Sequence, residues 1–436
     1  MRVRFAPSPT GKLHLGNIRT AVVNWLHAKA SGGEFLLRMD DTDKERSTEA
    51  FAQGILRDLE WLQMPHDAFA RQSDRMERYA LAKEKLIEDG RLYPCYESAD
   101  ELALMRKSLV NRGKPPIYDR SALKLNATQR SALEAQGRTA HWRFLLVEGN
   151  INWDDMVRGS VKFDAQNLSD PVLFREDGRP LYTISSVVDD IELAVSDIIR
   201  GEDHVANTAV QVQLFEALGG TIPRFGHLPL ITDATGEGLS KRIGSLGVEA
   251  LQTECHDPLA VNAYLAALGT PNAPRVVRSM PELAKGYDLS LYGRSTPKAS
   301  AQEIGALSIR YLHEKPFADV CDKLPGFDET LWLALRDNIK SLEEAKEWLT
   351  IIRGSLETPK EDPDLLTKAV SLLPPLPWDQ KTWGKWTSDL KEASGRKGKA
   401  LFLPLRLALT GRDQGPEMAM LLPLIDRESV LQRLKP

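Results

Sequence analysis

The sequence of 436 residues has little cysteine, no long apolar run and no strong net charge. Its three cysteines, Cys95, Cys255 and Cys321, lie far apart and form no C-x-x-C pair, which argues against a disulfide framework and a cysteine zinc site. No run approaches the ~18 apolar residues of a membrane span, and the first residues lack the apolar stretch of a signal peptide. We therefore expect a cytoplasmic protein without membrane contact.

Charge of either sign is nearly balanced, with 57 basic and 61 acidic residues and a net charge of −4. This balance neither requires nor excludes a nucleic-acid partner, because a local basic face decides such binding. A hydrophobic content of 42% is enough for ordinary buried cores. The length corresponds to roughly two to four domains.

The stretch PSPTGKLHLGN, residues 7–17, lies between a strand-like segment at 3–6 and an amphipathic helical pattern. A strand-to-helix junction offers unpaired backbone N–H groups and the positive end of a helix dipole, which favour an anion such as a phosphate. The hydroxyls of Ser8 and Thr10 and the imidazole of His14 could add donors. Alone, the stretch is equally typical of a capping loop.

The rest of the first third alternates strand and helix patterns. EFLLRM, residues 34–39, is typical of a strand, and a helical pattern follows DDTDKERS. A second half of the same kind resumes near residues 191–201, whereas 76–182 has the character of an insertion. From about residue 300 the pattern is mostly helical.

A second candidate for phosphate binding is the basic loop ITDATGEGLSKRIGS, residues 231–245. By itself such a loop is more often a solvated turn. Together with HLGN on a divided nucleotide-binding fold, its Lys241 and Arg242 favour a polyphosphate ligand.

Five blocks carry a family resemblance: APSPTGKLHLGN, RMDDTDKERS, PLYTISSVVDDIELAVSDIIRGEDH, GLSKRIGS and GRKGKALFLPLRLALTG. In this order they resemble the bacterial glutamyl-tRNA synthetases, which are class I aminoacyl-tRNA synthetases. The resemblance implies an α/β protein with a Rossmann-type catalytic domain and a mostly α-helical anticodon-binding region. The implied ranges are the catalytic domain at 1–75 and 183–225, an acceptor-stem-binding insertion at 76–182, a stem-contact region with the signature lysine loop at 226–319, and the anticodon-binding region at 320–436.

The resemblance also implies the site residues. The catalytic positions are His14, Gly16 and Lys241. The positions for ATP are Pro7, Thr10, Gly11, His14, Gly16, Asn17, His204, Leu239, Ser240, Lys241 and Arg242. The positions for glutamate are Arg4, Ala6, Ser8, Asp40, Tyr182, Ser186 and Arg200.

The implied activity is ATP-dependent ligation of L-glutamate to tRNA through a glutamyl-adenylate. Negative charge builds on the phosphoryl oxygens during activation, so helix-terminal amides, an imidazole, a lysine and Mg²⁺ are suitable stabilisers. A guanidinium can bind the substrate's side-chain carboxylate bidentately, and Asp40 can accept from its α-ammonium. The tRNA could be tRNA(Glu), tRNA(Gln) or both.

Three positions depart from the usual pattern of the bacterial relatives: Asp40 replaces Glu, Ser186 replaces Asn, and Gly238 replaces Lys. Some relatives bind zinc in the insertion through several cysteines, but here PCYES offers only Cys95, and IYDR offers neither Cys nor His. We expect no structural zinc, and we expect a monomer.

Three alternatives stay open. A short paralogue glutamylates a modified base of tRNA(Asp), but it lacks an anticodon-binding region. A nicotinamide-dependent oxidoreductase would carry G-x-G-x-x-G at its first strand-to-helix turn, and PSPTGKLHLG is not that motif. A catalytically silent RNA-binding relative would not need His14, Gly16 and Lys241.

In the C-terminal region, basic residues with Trp383 and Trp386 between 381 and 412 predict contact with RNA.

Overall fold

The computed structural model describes residues 1–233, 236 and 247–435. The chain divides into two compact units, Met1–Ile304 and Gly305–Pro436. Within the described residues no helix combines the length and the apolar composition needed to cross a membrane.

All the described strands belong to the first unit. They are β1 (Arg2–Phe5), β2 (Glu34–Met39), β3 (Ala68–Arg71), β4 (Leu92–Cys95), β5 (His141–Phe144), β6 (Asn150–Asp155), β7 (Gly159–Asp164), β8 (Val172–Phe174), β9 (Asp197–Gly201) and β10 (Arg224–Leu228).

The helices of the first unit are α1 (Leu15–Ala30), α2 (Glu49–Trp61), α3 (Met76–Glu88), α4 (Ala99–Asn111), α5 (Ala127–Ala135), α6 (Tyr182–Glu192), α7 (Val205–Leu218), α8 (Val248–Thr253), α9 (Pro258–Ala267), α10 (Met280–Ala284) and the start of α11 (Ala301–Glu314).

The large sheet has seven strands in the order β3-β2-β1-β9-β10-β6-β7. Its first six strands run parallel, and β7 pairs antiparallel with β6 at one edge. The chain winds from β1 outward through β2 and β3, and it later starts again beside β1 with β9. Since the strand order reverses between β1 and β9, a crevice for ligands is expected outside their carboxyl ends. The predicted Rossmann-type α/β fold is confirmed.

A second, three-stranded antiparallel sheet has the order β4-β5-β8. It lies within the range 76–182 that was expected to form an insertion. The same range also supplies β6 and β7, which hydrogen-bond into the large sheet rather than the small one. Their alternating apolar and polar residues look alike in sequence, so the pattern alone does not assign them to a sheet.

Helix α1 is tied to distant parts of the first unit by a buried arginine. Arg19 is 2% exposed, and it donates to the carbonyl oxygens of Pro229 at 2.7 Å and Leu268 at 3.0 Å. Its guanidinium lies 5.4 Å from the centre of the Tyr292 ring. A Cβ on Gly269, whose φ is +89°, would lie 2.8 Å from the Arg19 guanidinium. The tie therefore depends on that glycine.

All the regular secondary structure described in the second unit is helical, in agreement with the sequence pattern. Its helices after α11 are α12 (Glu329–Leu335), α13 (Leu342–Arg353), α14 (Pro363–Ser371), α15 (Thr382–Ser394), α16 (Lys399–Thr410), α17 (Met418–Leu421) and α18 (Arg427–Leu434).

The core of the second unit explains one aromatic residue differently from the sequence analysis. Trp386 is fully buried, and its indole N–H donates to the Ala369 carbonyl at 3.1 Å. It therefore cannot stack on an RNA base as it lies here. Trp383 is half-buried beside it, with ring centres 5.6 Å apart, and Phe402 is 45% exposed.

Candidate active site

The HLGN stretch starts α1 with an unusual cap. The Nδ1 atom of His14 accepts from the backbone N–H groups of Gly16 at 3.1 Å and Asn17 at 3.4 Å, and the Asn17 side chain accepts from the His14 N–H at 3.3 Å. Two amides that the sequence analysis expected to be free are therefore occupied. Because Nδ1 accepts, the neutral imidazole carries its proton on Nε2, and burial lowers the pKa of His14. The group left to meet a phosphate is the Nε2–H.

The loop before HLGN rests on the segment after β2. Backbone N–H groups of Asp40 and Thr48 donate to the carbonyls of Pro7 at 3.0 Å and Pro9 at 3.1 Å. The side chains of Ser8 and Thr10 stay exposed, Ala6 and Gly11 are half-buried, and Pro7 is buried. The hydroxyls and the glycine thus remain accessible to a ligand at this edge of the sheet.

Four charged residues and one serine form what we call the Arg38 cluster: Arg4, Arg38, Asp40, Ser186 and Asp190. Arg38 donates to both carboxylate oxygens of Asp40, at 2.7 and 3.2 Å, and to Asp190 at 2.8 Å. Arg4 donates to the same oxygen of Asp190 at 3.2 Å. The Ser186 hydroxyl lies 3.3 Å from Arg38 and 3.4 Å from Asp190. All five residues are at most 7% exposed.

The Arg38 cluster unites three predicted glutamate-binding residues, Arg4, Asp40 and Ser186, but the sequence analysis missed Arg38 and Asp190 at its centre. The available signal was a charge inside each apolar pattern, Arg38 in FLLRM and Asp190 in SSVVDD. Burial raises the pKa of Asp40 to about 6 although Arg38 lowers it. Asp40, which was expected to accept from an ammonium group, is thus already held by Arg38.

The second group, which we call the Arg200 cluster, comprises Tyr182, Arg200, Thr208, Gln211 and His227. Arg200 donates to Tyr182 Oη at 2.9 Å, Thr208 Oγ1 at 2.7 Å, Gln211 Oε1 at 2.6 Å and His227 Nε2 at 3.3 Å. Every acceptor is uncharged. Within the described part of the chain no carboxylate forms an ion pair with this guanidinium, which is 5% exposed, and burial lowers its pKa.

His204, predicted to contact ATP, lies beside the Arg200 cluster. Its ring centre is 5.4 Å from that of Tyr182. Burial and then the charge of Arg200 lower the pKa of His204 to about 4, so the imidazole is neutral near pH 7. A neutral ring on a tyrosine can stack or donate without adding charge to the pocket.

The second signature loop lies outside the described residues, and with it the predicted Leu239, Ser240, Lys241 and Arg242 and the departure Gly238. The residues that flank this loop are attached to the first unit. Thr232 pairs with Lys298, and Gly247 pairs with His14, each through an isolated β-bridge. Glu249 forms an ion pair with Lys12. Gly247, six residues after Lys241, thus meets the HLGN histidine itself.

One group of possible metal ligands escaped the sequence analysis. The ligand atoms of Cys95, Glu97 and His141 lie within 4.8 Å of one another. His141 was missed because it is far away in sequence and is brought in by the pairing of β4 with β5. Three donors are one short of a closed structural zinc site, and one Glu97 oxygen already accepts from Tyr118 at 2.6 Å. The residues do not make a complete zinc site, and the absence of structural zinc stays a prediction.

Comparison with known proteins matches one family model to each unit. The model described as "tRNA synthetases class I (E and Q), catalytic domain" matches residues 1–304, and the model "Anticodon binding domain" matches residues 334–436. The glutamate–tRNA ligase of Azospirillum brasilense is 50% identical over 438 residues, which is 99% of this chain and 98% of the relative. Glutamate–tRNA ligase 2 of Acidiphilium cryptum is 50% identical over 440 residues, or 100% and 99%.

Two solved structures are also similar over the whole chain. A glutamate tRNA ligase from Elizabethkingia meningosepticum, in complex with its amino acid, superimposes with a TM-score of 0.86 at 25% identity and covers 100% of this chain and 98% of its own. The glutamate-tRNA synthetase of Elizabethkingia anophelis gives a TM-score of 0.84 at 26% identity, with the same coverage.

Proposed function

The chain belongs to the class I tRNA synthetases (E and Q), and from this premise we propose that it ligates L-glutamate to tRNA through a glutamyl-adenylate, using ATP. One observation carries the choice of amino acid: the buried guanidinium of Arg200 has only uncharged partners among the described residues. An isolated buried charge is costly, and an anionic ligand relieves the cost. The side-chain carboxylate of glutamate is such a ligand.

The other glutamate contacts follow from the position of this guanidinium. Arg200 lies on β9 and Arg4 on the neighbouring β1, at the place where the strand order reverses. Tyr182 supplies a hydroxyl beside Arg200, and Asp40 and Ser186 supply the polar wall of the Arg38 cluster. The exposed Ser8 and the backbone at Ala6 would face the α-carboxylate and α-ammonium of glutamate, the end that reacts with ATP.

The adenylate forms when a carboxylate oxygen of glutamate attacks the α-phosphorus of ATP and pyrophosphate leaves. The Nε2–H of His14, the Thr10 hydroxyl and the Gly11 N–H would donate to the phosphates. Pro7 would hold the loop rigid, and Gly16 and Asn17 would hold the imidazole in place. Mg²⁺ would arrive with ATP and neutralise its phosphates. Lys241, with Leu239, Ser240 and Arg242 around it, would act on the departing pyrophosphate, and His204 would contact the nucleotide beside Tyr182.

The activated glutamate is then transferred to the terminal ribose of tRNA. The proposed domain ranges are those of the sequence analysis, with an acceptor-stem-binding region at 76–182, a stem-contact region at 226–319 and an anticodon-binding region at 320–436. The match to an anticodon-binding model at 334–436 disfavours the short paralogue that modifies tRNA(Asp). A catalytically silent RNA-binding relative would not need a buried Arg200 whose positive charge has only uncharged partners among the described residues.

Three expectations complete the proposal: the protein acts in the cytoplasm, it is a monomer, and it holds no structural zinc. Elemental analysis of tag-free protein tests the last of these. Zinc below a tenth of an equivalent is expected. One equivalent that disappears in the Cys95→Ala variant would contradict it.

The decisive experiment is charging of purified tRNA(Glu) and tRNA(Gln), each alone, with labelled glutamate or glutamine. Label should pass from glutamate to at least one tRNA and never from glutamine. Lys241→Ala should lower turnover more than it weakens glutamate binding, because the lysine acts on charge that develops in the transition state. No transfer of glutamate to either tRNA by the folded wild-type protein would refute the proposal.

A further inference from the structure

A fully buried histidine, His227, lies beside Arg200 on the neighbouring strand. His227 lies on β10, next to β9, and its Nε2 accepts from Arg200 Nε at 3.3 Å and lies 2.9 Å from the Thr208 hydroxyl. Its Nδ1 lies 2.5 Å from Asp155 Oδ2, at the end of β6. The three residues form a line through three adjacent strands, from Asp155 through His227 to Arg200.

Asp155 is fixed from several sides. Its Oδ1 accepts from the backbone N–H groups of Val157 at 3.0 Å, Arg158 at 3.0 Å and His227 at 3.1 Å, and the indole of Trp153 lies 3.3 Å from Oδ2. Burial opposes ionisation, but the hydrogen bond with the His227 side chain and those from the backbone N–H groups of Arg158 and His227 lower the pKa of Asp155 to about 2 and keep the carboxylate ionised.

The hydrogen bonds leave one state for the imidazole. An ionised Asp155 requires a donor at Nδ1, and Arg200, which can only donate, requires a lone pair at Nε2. His227 is therefore neutral with its proton on Nδ1. A proton on Nε2 would turn to the Thr208 hydroxyl, and the Arg200 N–H would lose its acceptor and be repelled.

We propose that Asp155 and His227 are positioning residues for glutamate recognition: the carboxylate fixes the imidazole tautomer, and the imidazole fixes the rotation of the Arg200 guanidinium toward the substrate's side-chain carboxylate. The inference rests on the proposed function, since it gives Arg200 the role of glutamate ligand. Neither residue lies within the five sequence blocks that carry the family resemblance.

The Asp155→Asn variant tests this positioning role almost without changing the size of the side chain. Three backbone N–H groups demand the amide oxygen at the Oδ1 position, so the NH₂ group must face Nδ1 and drive the proton to Nε2. The KM for glutamate should rise at least about tenfold, the effect of losing one well-placed hydrogen bond to a charged group. The KM for ATP should stay within about twofold, because none of the described residues assigned to ATP forms a hydrogen bond with Asp155.

The matched control is Asp154→Asn, which makes the same charge change one residue earlier, on the exposed side of β6. A second pair of variants distinguishes loss of the hydrogen-bond acceptor from a change in side-chain volume. His227→Gln keeps an oxygen that can accept from Arg200, and His227→Leu does not. The Gln variant should hold glutamate within about threefold of wild type, and the Leu variant should resemble Asp155→Asn. This pair decides the question even where Asp155→Asn fails to fold.

The ¹⁵N shifts of the His227 ring give a readout that a merely structural role would not move. They should show a neutral ring protonated on Nδ1 in the wild type and on Nε2 in Asp155→Asn. Two results would refute the positioning role. In the first, the wild type charges tRNA with glutamate but Asp155→Asn keeps the glutamate KM of the Asp154→Asn control. In the second, the tautomer of His227 is the same in Asp155→Asn as in the wild type. Failure of the wild type to charge any tRNA would instead count against the proposed function.

Discussion

The Arg38 cluster and the Arg200 cluster lie at the same edge of one sheet, but they treat a buried positive charge in opposite ways. Arg38 is surrounded by Asp40 and Asp190, with Asp189 3.7 Å away, so its charge is neutralised within the protein. Arg200 meets hydroxyls, an amide and a neutral imidazole. The first arrangement stabilises the fold, and the second leaves the charge available to a ligand.

The comparison teaches which arginines of an apparently uniform pocket can be ligand groups. Arg4, which was predicted from sequence beside Arg200, shares the oxygen of Asp190 with Arg38 and is therefore partly neutralised. A substrate carboxylate binds most strongly to a guanidinium that is not already paired with an anion of the protein. The ranking of the expected effects follows from this difference.

The largest effect is expected from Arg200→Met. Removal of the only cation without an anionic partner in this pair of clusters should lower kcat/KM for glutamate by about 100-fold or more. Steady-state charging at varied glutamate measures it, with the KM for ATP as internal reference. A loss smaller than that of Arg4→Met would reverse the ranking.

The same substitution at the other centre, Arg38→Met, should act mainly on stability. It leaves Asp40 and Asp190 buried without their main counterion, which costs about 3 kcal/mol or more of unfolding free energy. Chemical denaturation of the two Met variants side by side checks this. The contrast between the clusters fails if Arg200→Met proves the less stable protein.

A smaller, pH-dependent effect is expected from Asp40. Its pKa of about 6 means that the carboxyl gains a proton as the pH falls through that value and then no longer attracts an ammonium group. Glutamate affinity should therefore fall about fourfold between pH 7.5 and pH 5.5. The substrate's own side chain stays ionised in this range. Calorimetric titration of wild type and Asp40→Asn checks it, and a variant with the same pH dependence as wild type would remove Asp40 as the cause.

The smallest effect is expected from Ser186→Ala. Its hydroxyl makes two long hydrogen bonds, to Arg38 and Asp190, which already hold each other. Loss of these bonds should cost less than about 1 kcal/mol and change the KM for glutamate less than about threefold. Thermal unfolding and charging assays measure both. A larger change would mean that Ser186 touches the substrate directly.

The sequence predicts the fold class and the function because they depend on ordered blocks and on periodicity. EFLLRM forms β2 at the predicted residues, and the split Rossmann-type sheet follows from the alternation of strands and helices. The partners of buried polar groups were not predictable, because Arg38, His227 and Asp155 acquire them only when strands distant in sequence become neighbours. The capping loop was one of the two interpretations of HLGN, but His14 was not named as the cap itself, because Ser, Thr, Asp and Asn are the usual N-caps.

The tie made by Arg19 bears on how this protein can diverge and be recombined. Its two acceptors are main-chain carbonyls, at Pro229 and Leu268, which any amino acid would supply equally well. The side chains at these two positions can thus change during evolution, or be exchanged in a chimaera with a homologue, while the attachment to α1 persists. One described position does restrict the tie: at Gly269 even the Cβ of an alanine would lie 2.8 Å from the Arg19 guanidinium.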